Sequence, residues 1–505
     1  MISWMCAGSN KKKSLLDNVE KKSKIVESTI TRLYKIITKN VKHGDYEAAL
    51  EAISACAELE YYWNQFYVDE YLERVILDIQ KDIINTTLQK EDLDRQTILF
   101  YDGFGYDSRG LMLNYVKSLL MLGYRVVYVA SSAAEGKQPT LTQMSVKGNL
   151  LWEYLSASQK TLTVLQYFNE IFTKYRPAKA FLYTLPYDVA GIAVFANYQG
   201  IVERYEINLT DHAFWLGKYA FDYCIEFRDY GATISKLLRG IDQKKLLKLP
   251  LTPYVNDTLS FEGFPFNTEG HKVVFSGGGL YKTFDADNTY YKLVEDILRY
   301  DEKVLFLYAG FGDDSELRKL MAIFPGRVWH IEERRDLYQL MEHIYFYLST
   351  YPIAGGLMTQ YAALAGKVPV TVGAGDEHAG VLHVQEEGQY LFKSKEEAQK
   401  EIYKLLDDPD YAQAKGQRLK ESILEEKQFT DALKNILTEH SSPYDINIVE
   451  INTGNFIREY LYRFSLTEIQ RVIIKDEHWE LRKNFPLLFL KKRMSNMMKL
   501  LKKRG

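Results

Sequence analysis

Cysteine is scarce in this chain: Cys6, Cys56 and Cys224 are the only three in 505 residues. They are too few and too widely spaced for a disulfide framework or a thiolate metal site, and they point to a reducing compartment. Long apolar runs are also missing, since no stretch approaches the roughly 20 residues needed to cross a bilayer. The opening segment Met1–Asn10 is followed, not preceded, by Lys11, Lys12 and Lys13, the reverse of an export signal. A cytoplasmic protein is the expectation. Charge of one sign is lacking as well: 64 basic residues against 67 acidic give a net charge of −3, no global field for nucleic acid, and no nucleic-acid partner is expected. What is present is a composition of 46% apolar and 26% charged residues, enough to bury large cores in several domains.

The first 94 residues contain no proline and few glycines, with apolar positions at mixed three- and four-residue spacing, so 1–94 reads as a helical region. From 95 to 255 the punctuation changes to buried strands and helices in alternation: Thr97–Phe100, a helix over 110–122, Arg125–Val129, a helix over 162–175, then Ala178–Tyr183. This is the pattern of a Rossmann-like domain with a parallel sheet. It lacks a compact GxGxxG fingerprint, so nothing supports a nicotinamide or flavin cofactor. A second alternation fills 256–445, with strands at His271–Ser276, Val304–Ala309, Gly326–His330, Ile344–Leu348 and Val368–Val372. Residues 446–505 read as helical again. The fold class is α/β: two Rossmann-like domains facing a cleft, flanked by helical ends.

The last 25 residues carry nine basic side chains and no acidic one. Interleaved with them are Phe485, Leu487, Leu488, Phe489, Leu490 and three methionines, a composition suited to an anionic membrane surface. A solvated tail, or a helix folding back on the protein, explains the same residues.

The strongest local signal runs from Leu348 to Val370. A strand enters a Pro/Gly turn, Tyr351-Pro352-Ile353-Ala354-Gly355-Gly356, and small residues there let backbone N–H groups at the start of the next helix approach a phosphate. Thr359 can add a hydroxyl, and Gly366 closes the helix. A glycine pair at such a turn serves tight packing equally well. Upstream, Ser276-Gly277-Gly278-Gly279 follows a strand and leads to Lys282, a cation able to neutralise a leaving diphosphate.

Thr350, Tyr351, Pro352, Gly355, Gly356, Thr359, Gly366, Pro369 and Val370 together resemble the sugar-nucleotide signature of GT-B glycosyltransferases. The resemblance is to the group of O-linked N-acetylglucosamine transferases and bacterial cytoplasmic protein glucosyltransferases. Ser349 stands where that group often has an aspartate. The resemblance covers 265–400 best, 97–250 more weakly, and neither end region. It implies a UDP-sugar donor, Lys282 at the diphosphate, and nucleotide-binding residues among Gly277, Gly278, His330, Gly355, Gly356, Thr359, Asp376 and Glu377. Asp376 and Glu377, in a glycine-flanked turn, can accept hydrogen bonds from sugar or ribose hydroxyls.

In the first domain, His212 beside Asp211 can accept the proton of an attacking hydroxyl, or a Trp/Phe-rich loop can simply contain a hydrogen-bonded pair. Arg228 is a candidate diphosphate ligand and an equal candidate for anchoring Glu226 or Asp229. An adjacent His-Asp pair does not specify a metal site, and no cofactor or obligatory metal is expected. The implied reaction is hexosyl or N-acetylhexosaminyl transfer to a hydroxyl of a protein or glycan, with inversion favoured only by the resemblance. The alternatives are a sugar-nucleotide epimerase and a noncatalytic glycosyltransferase-like partner protein; under any of these readings a homo- or hetero-oligomer is open. Work at the inner face of a membrane, through 481–505, is the accompanying expectation.

Overall fold

The structure is a computed structural model, and it describes residues 3–105, 111–145, 148–285, 287–332, 334–373, 380–382, 390–451, 471–475, 478 and 480–490. Asp376, Glu377 and the basic residues from 491 onward lie outside the described residues.

Three helices open the chain: α1 (Ser3–Lys42), α2 (Tyr46–Trp63) and α3 (Glu70–Ile83). Asp45 starts α2 by accepting from the Ala48 N–H, and Asp69 starts α3 by accepting from Tyr71 and Leu72, the standard remedy for unpaired donors at a helix start. Helix α2 carries Ala48, Ala49, Ala52, Ala55 and Ala57, all buried. That narrow surface lets neighbouring helices approach closely.

The first α/β domain follows as β1 (Asp94–Asp102), α4 (Leu111–Met121), β2 (Arg125–Ser131), α5 (Pro139–Met144), β3 (Leu150–Leu155), α6 (Thr161–Tyr175), β4 (Pro177–Tyr183), α7 (Val189–Asn197), β5 (Glu203–Ile207), β6 (Tyr223–Glu226), α8 (Asp229–Leu237) and β7 (Leu246–Lys248). The seven strands are ordered β3-β2-β1-β4-β5-β6-β7 and all pairings are parallel. Helices cover both faces, so β1 is buried from Thr97 to Asp102, as a parallel sheet requires. One face shares a core with the N-terminal helices, where Val26, Leu33, Ile53 and Leu59 join Leu99, Val127, Leu182 and Phe195. The helical opening is thus part of this domain's core.

The second domain runs β8 (Lys272–Gly277), α9 (Thr289–Tyr300), β9 (Val304–Ala309), α10 (Ser315–Ile323), β10 (Val328–Ile331), α11 (Leu337–His343), β11 (Phe346–Leu348), α12 (Gly356–Leu364), β12 (Pro369–Val372), β13 (Leu391–Phe392), α13 (Lys395–Asp407) and α14 (Pro409–Lys420). Its six strands, ordered β10-β9-β8-β11-β12-β13, are also parallel throughout. In both sheets the order reverses beside the first strand, β1/β4 in one and β8/β11 in the other. Those switch points are where loops diverge and leave room for a ligand at the carboxyl ends of the strands.

Helix α15 (Glu426–Glu439) crosses back to the first domain. Its Phe429, Leu433 and Ile436 pack with Phe100, Tyr115 and Val126, and Thr430 Oγ1 lies 2.8 Å from Ser118 Oγ. The chain then runs along α8, where the Val449 N–H donates to Thr233 Oγ1. Farther on, Val472, Ile473, Leu481 and Phe485 enter the core shared with α1 and α2. Glu51 of α2 accepts from the Glu480 and Leu481 N–H groups, and Lys475 pairs with Glu58 at 2.5 Å. Over 481–485 the fold-back reading of the tail therefore holds, since Leu481 and Phe485 are spent on the protein's own core. Leu487 and Leu490 remain exposed. Among the described residues, no helix is long and apolar enough to cross a membrane.

Candidate active site

The second sheet forms one wall. Strand β8 ends in Gly277-Gly278-Gly279 and passes into a short 3-10 turn, Leu280–Thr283. Gly278 and Gly310 take φ of +133° and +154°, and a Cβ on Gly310 would stand 1.9 Å from the Gly278 carbonyl oxygen. Only glycine permits that approach. Tyr308 fixes the same carbonyl, donating from its hydroxyl at 2.9 Å, and Tyr290 donates to Ser276 Oγ at 2.6 Å. The Lys282 stem runs along this loop, with Cδ 3.8 Å from where a Gly278 side chain would begin.

The turn after β11 meets that loop directly: the Ile353 N–H donates to the Lys282 carbonyl at 3.3 Å. Thr350 Oγ1, fully buried, donates to the Ile353 carbonyl at 2.6 Å and holds the turn. The Tyr351–Pro352 bond in it is cis. Gly355 caps α12, Gly356 is its first residue, and Thr359 is buried one turn in. Helix α12 thus presents its N-terminus, with N–H groups that lack intrahelical partners, at the switch point beside the glycine loop. Gly277, Gly278 and Lys282 on one loop, and Gly355, Gly356 and Thr359 at the start of α12, lie on adjoining segments of the second domain. His330 sits on β10, two strands from β8. Its Nε2 bonds the Gly310 carbonyl at 2.8 Å, and its Nδ1 lies 3.7 Å from Asp314, so the ring anchors the loop after β9.

The first sheet supplies the other wall. Beyond β5, Asp211 is buried and accepts from Arg228 through Nε at 2.5 Å and Nη2 at 3.0 Å. Its second neighbour is His212, whose Nδ1 lies 3.3 Å from Oδ1. Burial alone would raise the Asp211 carboxyl, but the Arg228 charge and the His212 contact bring it down to about 2. The Arg228 guanidinium lies over the rings of Phe227 and Tyr230. The arginine also touches the second domain, because a side chain on Gly380 would begin 3.4 Å from Arg228 Cβ. Of the carboxylates the sequence offers Arg228, neither Glu226 nor Asp229 is bonded to it; the carboxylate it holds is Asp211. Glu226 instead accepts from Asn208 Nδ2 and Ser235.

Three residues with no local signature hold the histidine loop. Arg239, buried at the end of α8, donates to the carbonyls of Thr210, Asp211 and Ala213 at 3.0, 3.3 and 2.6 Å. Asn64, in the left-handed region at the end of α2, donates to the His212 carbonyl and accepts from the Phe214 N–H. Glu73 of α3 accepts from the Gly217 and Lys218 N–H groups. All three are remote in sequence from the loop or generic in type, which is why motif reading passes over them. Among the described residues, no three His, Cys, Asp or Glu side chains converge as a metal site would require.

Comparison with solved structures identifies the fold. An O-GlcNAc transferase mutant from Thermobaculum terrenum superposes with a TM-score of 0.50 at 15% identity, over 81% of this chain and 80% of that one. A Listeria monocytogenes protein described as a UDP-N-acetylglucosamine 2-epimerase gives 0.50 at 15%, over 71% of this chain and all of that one. A Rickettsia africae glycosyltransferase gives 0.50 at 12%, over 68% and 98%. The chain has the GT-B fold, two Rossmann-like domains with helical extensions at both ends. No family model matches it, and no curated protein matches it by sequence.

Proposed function

We propose that this protein transfers a hexosyl or N-acetylhexosaminyl group from a nucleoside diphosphate sugar, in the first instance a UDP-sugar, to a hydroxyl of a protein or glycan. The observation that carries the reading is the Ile353–Lys282 backbone tie, which joins the glycine loop that carries Lys282 to the turn leading into α12, at the switch point of the second sheet. A helix N-terminus and a lysine are complementary to a diphosphate, and more so to the charge that develops as it leaves.

The acceptor oxygen forms a bond to the anomeric carbon as the bond from that carbon to the β-phosphate oxygen breaks. The hydroxyl proton passes to His212 and the nucleoside diphosphate departs with the bonding pair. Donation from Nδ1 to Asp211 leaves Nε2 with the lone pair, the tautomer a general base requires. Asp211 orients the ring, and Arg228 keeps Asp211 ionised. A single displacement of this kind inverts the anomeric centre. The solved transferases of the same fold support the reading. Donor sugars made in the cytoplasm suit it as well, with the product a surface glycan or glycoprotein begun at the inner face of the membrane.

The test is product-resolved mass spectrometry on a panel of nucleoside diphosphate sugars, with the full chain and Lys282→Ala. Release of one nucleotide, reduced at least tenfold in the variant, is expected. A second reading, epimerisation of the donor, is favoured by the match to the full length of the Listeria protein. It predicts a new sugar nucleotide of unchanged mass and no acceptor requirement.

A further inference from the structure

Helix α1 carries ten basic and three acidic residues, in a chain whose net charge is −3. It is buried along Val26, Ile30, Leu33 and Ile37, at the four- and three-residue spacing of one helix face. Lys21, Lys24, Lys35, Lys39 and Lys42 are all exposed. With Ser28 and Arg32 they keep the same spacing on the face turned away from the core, a row about 32 Å long at the helical rise.

None of these five lysines is paired with a described carboxylate. By contrast, Arg299, Arg318 and Lys319 on α9 and α10 each have a carboxylate three or four residues away. Like charges at that spacing destabilise a helix, so the row favours an anionic partner from outside. The carboxylates of α1 fall elsewhere. Glu20 and Glu27 share a row with Thr31 and Thr38, and Thr38 Oγ1 lies 2.7 Å from the Tyr71 hydroxyl of α3, so that flank faces α3. On α3, Asp78 lies 3.6 Å from Lys81 and Asp82 accepts from Tyr46. Asp45, at the Lys42 end, caps α2, and Asp17 lies outside the described side chains.

On the other flank Arg32 donates to the Asn484 carbonyl, and its guanidinium stands 4.2 Å from the centre of the Phe485 ring. From Phe485 the chain makes a further helical turn, with the Phe489 N–H donating to the Phe485 carbonyl. Leu488 and Phe489 pack on the shared core. Leu487 and Leu490 are left outside, exposed at 74% and 55%, and Leu487 is the most exposed large apolar side chain among the described residues. Nearby, Lys483 pairs with Glu480 at 2.5 Å, and Lys491, Lys492 and Arg493 follow in sequence. Unpaired lysines beside outward leucines suit a bilayer interface, where the leucines leave water and the lysines meet lipid phosphate. A nucleic acid takes the cations but offers the leucines nothing.

We propose that this face of α1, with Leu487 and Leu490 at its edge, docks the first domain on an anionic lipid bilayer. The Lys21–Lys24 end of the row is the end nearest the His212 loop, since Trp63 donates to Ser23 Oγ at 3.2 Å and the next residue, Asn64, holds that loop. Docking there serves an acceptor borne by the bilayer. That purpose rests on the transferase reading, whereas the docking does not.

The test is flotation of the full chain with vesicles of phosphatidylcholine alone and of phosphatidylcholine with phosphatidylglycerol, with UDP titrated separately by calorimetry. Binding should need the anionic lipid and weaken as salt rises. Lys24→Gln, Lys35→Gln and Lys39→Gln combined should weaken it roughly tenfold or more. Leu487→Ser with Leu490→Ser should weaken it at unchanged charge. Both variants change exposed side chains, so both should melt as the parent does and leave UDP binding unchanged.

Failure to bind anionic vesicles overturns the docking face, and so does equal binding to neutral ones. Undiminished binding in the lysine variant, with loss in a variant combining Lys491→Gln, Lys492→Gln and Arg493→Gln, confines the attraction to the residues after Leu490 and overturns the role of α1. Binding of a single-stranded oligonucleotide in place of vesicles overturns the bilayer as partner. Vesicle binding that depends on both the lysines and the leucines, in a chain that binds no UDP, keeps the docking face and removes the transferase reading.

Discussion

Arg228 donates to both carboxylate oxygens of Asp211, at 2.5 and 3.0 Å, with both side chains buried. A pair of this kind is expensive to break from one side, since the survivor remains charged and desolvated. Asp211→Asn should therefore destabilise the fold by about 3–5 kcal/mol. Arg228→Met combined with Asp211→Asn should cost less than the sum of the single changes. Denaturant titration of all four proteins measures the coupling, and strict additivity would count against a direct pair.

The same carboxylate sets an acid limit. Asp211 is held at about 2 in the fold against 3.8 for a free aspartate. Its folded value is the lower one, so its contribution is complete above about pH 4 and disappears as pH falls through about 2. The size is on the order of 2 kcal/mol. Unfolding free energy measured from pH 5 to pH 2 should fall less steeply in Asp211→Asn than in the parent.

Glu73 behaves with the opposite sign. Burial raises it to about 7 from 4.5, against the lowering effect of the Lys218 and Gly217 N–H groups. The folded state then holds an extra proton between those values, so stability declines as pH rises from about 4.5 to about 7, by on the order of 3 kcal/mol. Glu73→Gln should flatten that slope. An unchanged slope would remove Glu73 as its source.

Gly310→Ala places a methyl carbon 1.9 Å from a backbone oxygen at a φ of +154°, and backbone cannot swing aside as a side chain can. We expect a loss of about 2–4 kcal/mol together with weakened UDP binding, because the loop that must move is the one beside Lys282. Gly326→Ala, at φ +73° with nothing within 4 Å of the new carbon, is the control. It should cost about 1 kcal/mol and leave nucleotide binding intact.

Asn64→Ala removes two hydrogen bonds to the His212 loop from a residue that touches no substrate in the proposed mechanism. Turnover should fall roughly tenfold through misplacement of the base, with the donor KM unchanged and the pH–rate profile altered. Asn64→Gly, which tolerates the φ of 50° but makes neither hydrogen bond, should be more stable than Asn64→Ala and turn over no faster. Equal turnover in all three proteins would assign Asn64 to folding alone.

Much of this architecture is legible because parallel strands buried on both faces appear in sequence as unbroken apolar runs, such as Ile98–Tyr101 and Val304–Ala309. Strand β3 escapes notice because Glu153 interrupts it. Only the fold reveals that Tyr167, Lys174 and Tyr175 satisfy that carboxylate. Strands β7 and β13, of three and two residues, are too short to show a pattern. The glycine loops are legible because a backbone approach demands glycine in the sequence itself. Arg239 and Asn64 are not, since their value lies in which carbonyls they reach. An amphipathic helix such as α15 announces that it has an apolar face but not which domain receives it.

That last feature sets a schedule for synthesis. The core formed by Phe100 and Val126 of the first sheet and Tyr115 of α4 is completed by α15, and the Ser118–Thr430 contact spans 312 residues of chain. At about 5–20 residues per second, the ribosome needs roughly 15–60 seconds to deliver the covering helix. During that interval the whole second domain emerges and can fold, while the older domain waits with an uncovered apolar face. The first domain in chain order is therefore the last to be finished.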